Sequence, residues 1–166
     1  MKLKLKHIQA TLISSAILIA SSYTSTVLAH DFVSSLGAPA GAGATDLLRV
    51  DCFNDSTAAS QSPTHQMFIQ INDGTAAGGK LSASAAIYTP GYGKATTVTD
   101  PTGGDGVASP SKILTVIGAD AQDVQFFITI NHSAAGVKNY TLGYHCQDAS
   151  GQHTGTSLPL TVLQNQ

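Results

Sequence analysis

Six histidines occur in 166 residues. One of them, His30, follows Val27-Leu28-Ala29 in the stretch TVLAHDFVSSLG. Small residues at the two positions read by a signal peptidase predict cleavage between Ala29 and His30. A chain that starts at His30 carries a free amine beside its imidazole. The reference pKa of such an amine is about 7.7–8.0, against about 10.4 for lysine. It deprotonates readily, and a metal displaces the remaining proton. Amine and imidazole of one residue then chelate one ion, and a second imidazole completes three nitrogens in a roughly T-shaped plane. Nitrogen-rich tetragonal sites favour Cu(II).

Four further histidines of the mature chain compete for the second position: His65, His132, His145 and His153. His65 opens a strand-like run, and Met67 lies two residues on, so imidazole and thioether share a face and form a candidate second site for Cu(I). His132 follows the apolar run ITIN. His145 alternates with Tyr144 and Cys146 and points outward if those two face the core. His153 lies in a turn of the terminal segment CQDASGQHTGTSLPLTV.

Other chemistries find less support. No GxSxG elbow and no HExxH pair is present. The chain has no tryptophan and no flat aromatic surface of the kind that copper polysaccharide monooxygenases use to grip their substrate. The expectation is a protein that is not an enzyme.

The elements that must position these histidines are strands. Residues 1–29 join Lys2, Lys4 and Lys6 to an apolar run from Leu12 to Ala20, the pattern of a secretory signal peptide. That run is too short to span a bilayer. Residues 30–166 then form one domain with no membrane span, periplasmic or secreted. Net charge falls from −2 to about −5 when the three lysines leave. With no basic patch, nucleic acid is excluded as a partner. DLLRVDCFND, HQMFIQIND, KLSASAAIYT, SKILTVIGA, VQFFITINHS, KNYTLGYHCQD and TSLPLTVLQN read as seven short strands between Gly-, Asn- and Asp-rich turns. The segment from Pro90 to Pro110 reads as a long surface loop or a weak edge. Cys52 and Cys146 stand 94 residues apart and form a disulfide in an oxidising compartment.

Tyr144 stands two residues before Cys146. An early-strand cysteine paired with one in the penultimate strand, and a tyrosine two residues before it, resembles the immunoglobulin arrangement of an inter-sheet disulfide. The resemblance implies an all-β, antiparallel immunoglobulin-like β-sandwich. The core tryptophan of that arrangement is absent.

The mature start HDFVSS and the terminal YTLGYHCQDASGQHTGTSLPLTV together resemble the periplasmic copper-binding proteins of the CopC type. The resemblance covers roughly the first eight mature residues and the last 25. It implies a histidine-brace site for Cu(II), with His30 and His153 as nitrogen ligands. The aspartate of that family's motif falls here on Gly151, which has no donor. Asp148, five residues before His153, and Asp31 are the oxygen donors close by. The function implied is a periplasmic Cu(II) carrier or buffer in copper homeostasis, whose partners are the copper ion and a copper transporter or other periplasmic protein. The alternative is a secreted structural or adhesive β-sandwich module without metal.

Overall fold

The computed structural model describes residues 30–37, 43–55, 57–58, 61–76, 78–88, 93–116 and 123–166. The expected leader, residues 1–29, lies outside the described residues, as do residues 90–92 of the Pro90–Pro110 segment. Ten strands follow in chain order: β1 (His30–Leu36), β2 (Thr45–Phe53), β3 (Gln66–Asp73), β4 (Leu81–Ile87), β5 (Ala95–Asp100), β6 (Lys112–Thr115), β7 (Asp123–His132), β8 (Lys138–Gln147), β9 (Gly155–Thr156) and β10 (Thr161–Gln164).

Each of the seven expected runs becomes a strand. Successive side chains point to opposite faces of a strand, so alternating sequence produces one buried face. In β2 this buries Leu48, Val50 and Cys52 and turns Arg49 and Asp51 outward. Met67, Ile69 and Ile71 of β3 do the same, as do Val124, Phe126, Ile128 and Ile130 of β7. The inward faces meet as two antiparallel sheets. One runs β1-β8-β3-β6. The other runs β10-β2-β7-β4-β5, with β9 also beside β2. The Pro90–Pro110 segment contributes the edge strand β5 and then a turn in which Asp100 Oδ1 accepts from the Thr102 amide at 3.0 Å.

Cys52 lies on β2 of one sheet and Cys146 on β8 of the other. Their disulfide joins the sheets, with Cα atoms 5.8 Å apart. The protein is therefore an all-β antiparallel sandwich with an inter-sheet disulfide, and Tyr144 is buried beside it. Its terminal strands are placed differently from the immunoglobulin order. There the first strand lies beside the strand with the first cysteine, and the last beside the strand with the second. Here β1 pairs with β8, and β10 pairs with β2.

Buried charge is paired. Lys138 Nζ lies 2.7 Å from Asp73 Oδ2, both side chains almost wholly inaccessible. At the Leu36 end of β1, Tyr140 donates to Asp46 Oδ2 at 2.7 Å, and Asp46 Oδ1 accepts from the Gln166 amide at 2.9 Å. The Gly37 amide donates to the Gln166 carbonyl at 2.6 Å. Gln166 closes this end of the sandwich.

Candidate metal centre

The other end of β1 carries His30, opposite Tyr144 on β8. From there β8 runs on to Gln147 with β3 on one side and no β1 residue on the other. A turn fills that open edge. Asp148 Oδ1 accepts from the Ser150 amide, the Ser150 hydroxyl and the Gln152 amide at 2.8, 2.7 and 2.9 Å. Gly151 takes the left-handed backbone the reversal needs, with φ of 84°. The chain returns so that His153 bridges Gln147, and the Thr154 amide donates to the Cys146 carbonyl at 3.1 Å.

His30 and His153 thus share one lane along β8, three register positions apart, about 10 Å of strand. Their rings lean together and close the gap to 6.0 Å between centroids. Beside His153 rises His145, from β8 itself. Its ring stacks on Phe68 of β3 at 4.4 Å and 15°, and lies 4.2 Å from His153. Imidazoles from separated parts of the sequence approach in pairs at one end of the sheet, His30 to His153 and His153 to His145. Residue alternation places His145 on the face away from Tyr144 and Cys146, as expected, but His153 and Phe68 cover it and leave it only 4% exposed. Its membership in the cluster depends on the long-range bridge at His153, which local sequence does not announce.

The electrostatics favour neutral rings. Burial, then the neighbouring His153 and His30, push His145 down to about 3. Burial and then His30 lower His153. Burial lowers His30, and the Asp31 carboxylate opposes it. Neutral imidazole is the form that binds a metal. Among the described residues, the buried ring nitrogens without a hydrogen-bond partner are His145 Nδ1 and His153 Nε2 here and both nitrogens of His132 at the other end of β1.

The remaining expected ligands fall elsewhere. Asp148 spends its Oδ1 on the turn and is nearly buried, lining a recess with His65, Thr64 and Ser150. Its Oδ1 holds the turn that leads to His153. Asp31 pairs opposite Gly143 and lines an exposed groove with Gln70 and Thr141. Met67 is wholly buried in the core, opposite Cys146 and Leu114. His65 precedes β3, and its amide donates to the Gln147 carbonyl at 2.8 Å. A shared His65–Met67 site is therefore not formed. His132, the other rival, is buried near Gly37, at the opposite end of β1 from His30.

Among the described residues, no three or more His, Cys, Asp or Glu side chains are already drawn around one point as a metal site. Nor is any helix among them long and apolar enough to cross a membrane. No family model, no curated protein and no solved structure matches this chain.

Proposed function

We propose that residues 30–166 act in the periplasm as a Cu(II) carrier or buffer, with copper as cargo. The His30 amine and imidazole and the His153 imidazole are the nitrogen donors. The observation that carries this reading is the approach of His30 to His153, 6.0 Å between ring centroids, across 122 intervening positions of sequence. Two imidazoles opposed across one ion, each nitrogen about 2 Å from it, have ring centres on the order of 6 Å apart. The amine of His30 then forms the stem of the T. Orphaned nitrogen at His153 supports the same assignment.

Export is part of the proposal, because only cleavage before His30 turns its amide into an amine. The test is intact mass and Cu(II) titration of protein exported by a bacterial host. The expected result is a chain beginning at His30 that binds one Cu(II) with a nitrogen-rich EPR spectrum, lost in His30→Ala. A mature chain that starts at His30 and ignores Cu(II) would end the reading.

A further inference from the structure

Each sheet ends in two outer strands, and an outer strand leaves one row of backbone N–H and C=O groups unpaired. Such a rim is a template for another chain unless lysine, proline, a bulge or shortness blunts it. Three of the four rims here are blunted. β6 is four residues long, begins at Lys112 and follows Pro110. β5 lies between Lys94 and Pro101. β10 is four residues long, follows Pro159 and loses register between Val162 and Gln164. β1 has none of these devices. It runs for seven residues without lysine or proline and pairs in unbroken register with β8. Among the described residues, no strand lies on its other side. Val33, at its centre, is 72% exposed on the outward face. Phe32, its neighbour, is only partly buried against the core, beside Tyr140.

We infer that β1 is a self-association edge whose partner is β1 of a second copy of this chain, antiparallel about a two-fold axis through Val33. The strand's own sequence selects that register. Centring the axis on Val33 sets His30 opposite Leu36, Asp31 opposite Ser35, Phe32 opposite Ser34, and Val33 opposite its own copy. All seven positions are then paired. Moving the axis one residue either way leaves two of them unpaired. Moving it to Asp31 opposes one carboxylate to the other, which is destabilising. Residues opposite one another in an antiparallel pair share a face, with Cβ atoms about 5 Å apart. The two exposed valines therefore cover each other on the outward face, and each Phe32 gains cover from the opposing Ser34. The free rim also has the right length. The Gly37 amide donates to the Gln166 carbonyl, so the rim ends just beyond Leu36, where the partner copy's β1 begins. Two four-stranded sheets then continue as one of eight strands. Two seven-residue rims bury less than the about 1,200 Å² of a standard interface, so the association is weak and concentration-dependent. It does not depend on copper.

The test uses the metal-free mature protein beginning at His30. Sedimentation equilibrium from micromolar to millimolar protein should show the mass rising from one chain toward two. Over the same range, the backbone amide NMR signals that move should be those of β1. Val33→Lys, at an exposed position, keeps the fold and sets two ammonium groups face to face at the axis. It should raise the dissociation constant about tenfold or more. A mass that stays at one chain up to millimolar protein would overturn the inference and leave the rim to a strand of some other protein. So would signals that move on β5, β6 or β10 in place of β1, a result read on the unaltered protein. A folded Val33→Lys protein that associates as strongly as the unaltered one would overturn it too.

Discussion

His145 is held uncharged by what surrounds it. Phe68 covers one face, His153 and His30 lie beside it, and Gln147 meets Nε2. Its pKa falls to about 3 in the fold, against an unfolded value near 6.5. A depressed histidine takes up its proton only on unfolding, so the unfolded chain binds more protons below about pH 6.5. Stability from this residue is complete above that pH. It is lost as pH falls from about 6.5 toward 3, at up to about 1.4 kcal/mol per unit. His153 and His30 are lowered too and act in the same direction. The urea midpoint of the metal-free mature domain should therefore drop between pH 7 and pH 4.5. The drop should be shallower in His145→Phe, and equal slopes for the two proteins would contradict the assignment. The two proposed donors are readable in the sequence, because His30 follows a cleavage pattern and His153 sits in a terminal turn. His145 is readable only as an outward residue. Whether such a residue meets water or another histidine depends on what the chain lays over it, and that is a matter of long-range pairing.

At the scale of elements, β2, β3, β7 and β8 are plain in the sequence because each alternates for eight or more residues. β1 is not. HDFVSSL alternates weakly and becomes a strand by pairing with β8 over seven positions. β9 is two residues long and has no pattern to read. Yet β9 fixes the site, since it carries the chain from His153 on one sheet to β2 on the other. Gly155 makes that crossing, and a Cβ there would stand 2.5 Å from the Phe53 ring and 2.6 Å from the Phe53 carbonyl oxygen. The ring can rotate, but the carbonyl belongs to the β2–β9 pairing. Gly155→Ala should therefore push β9 off β2 and draw His153 away from His30. A loss of about 1–3 kcal/mol in stability is expected, together with weaker Cu(II) binding. Thermal melts and copper titration of the same variant check both. Retained affinity in a destabilised protein would show that His153 is held by its turn alone. A carboxylate five residues before a histidine serves equally as a donor or as the acceptor that folds the turn, and Asp148 Oδ1 accepts three hydrogen bonds within that turn.

For the whole molecule, the disulfide is the tie between sheets, and Cys146 is the immediate neighbour of His145. Cross-linking a loop of 94 residues removes unfolded-state entropy worth about 4–5 kcal/mol, an upper bound. Reduction should lower the urea midpoint accordingly, and it should loosen the proposed copper site as β8 gains freedom. Equal midpoints with and without reductant would show that the sheets hold together by their apolar faces alone. The pairing of Cys52 with Cys146 is legible from the count of two. The exchange of the outer strands is not, because edge strands are placed by which free rim accepts them and not by a pattern of their own.

That exchange has a practical consequence for anyone handling the protein. β1 places His30 at one end of the sandwich and Gly37 at the other, and Gln166 is clamped beside Gly37. A reporter or surface linker joined after Gln166 stands about 20 Å from the imidazoles. A single residue left ahead of His30 stands on them. Material made with an initiator methionine before His30 would fold, oxidise its cysteines and melt like a chain beginning at His30, yet lack the amine that the proposed copper site requires. Identical melting curves would then conceal two different chemistries, separated only by which residue comes first.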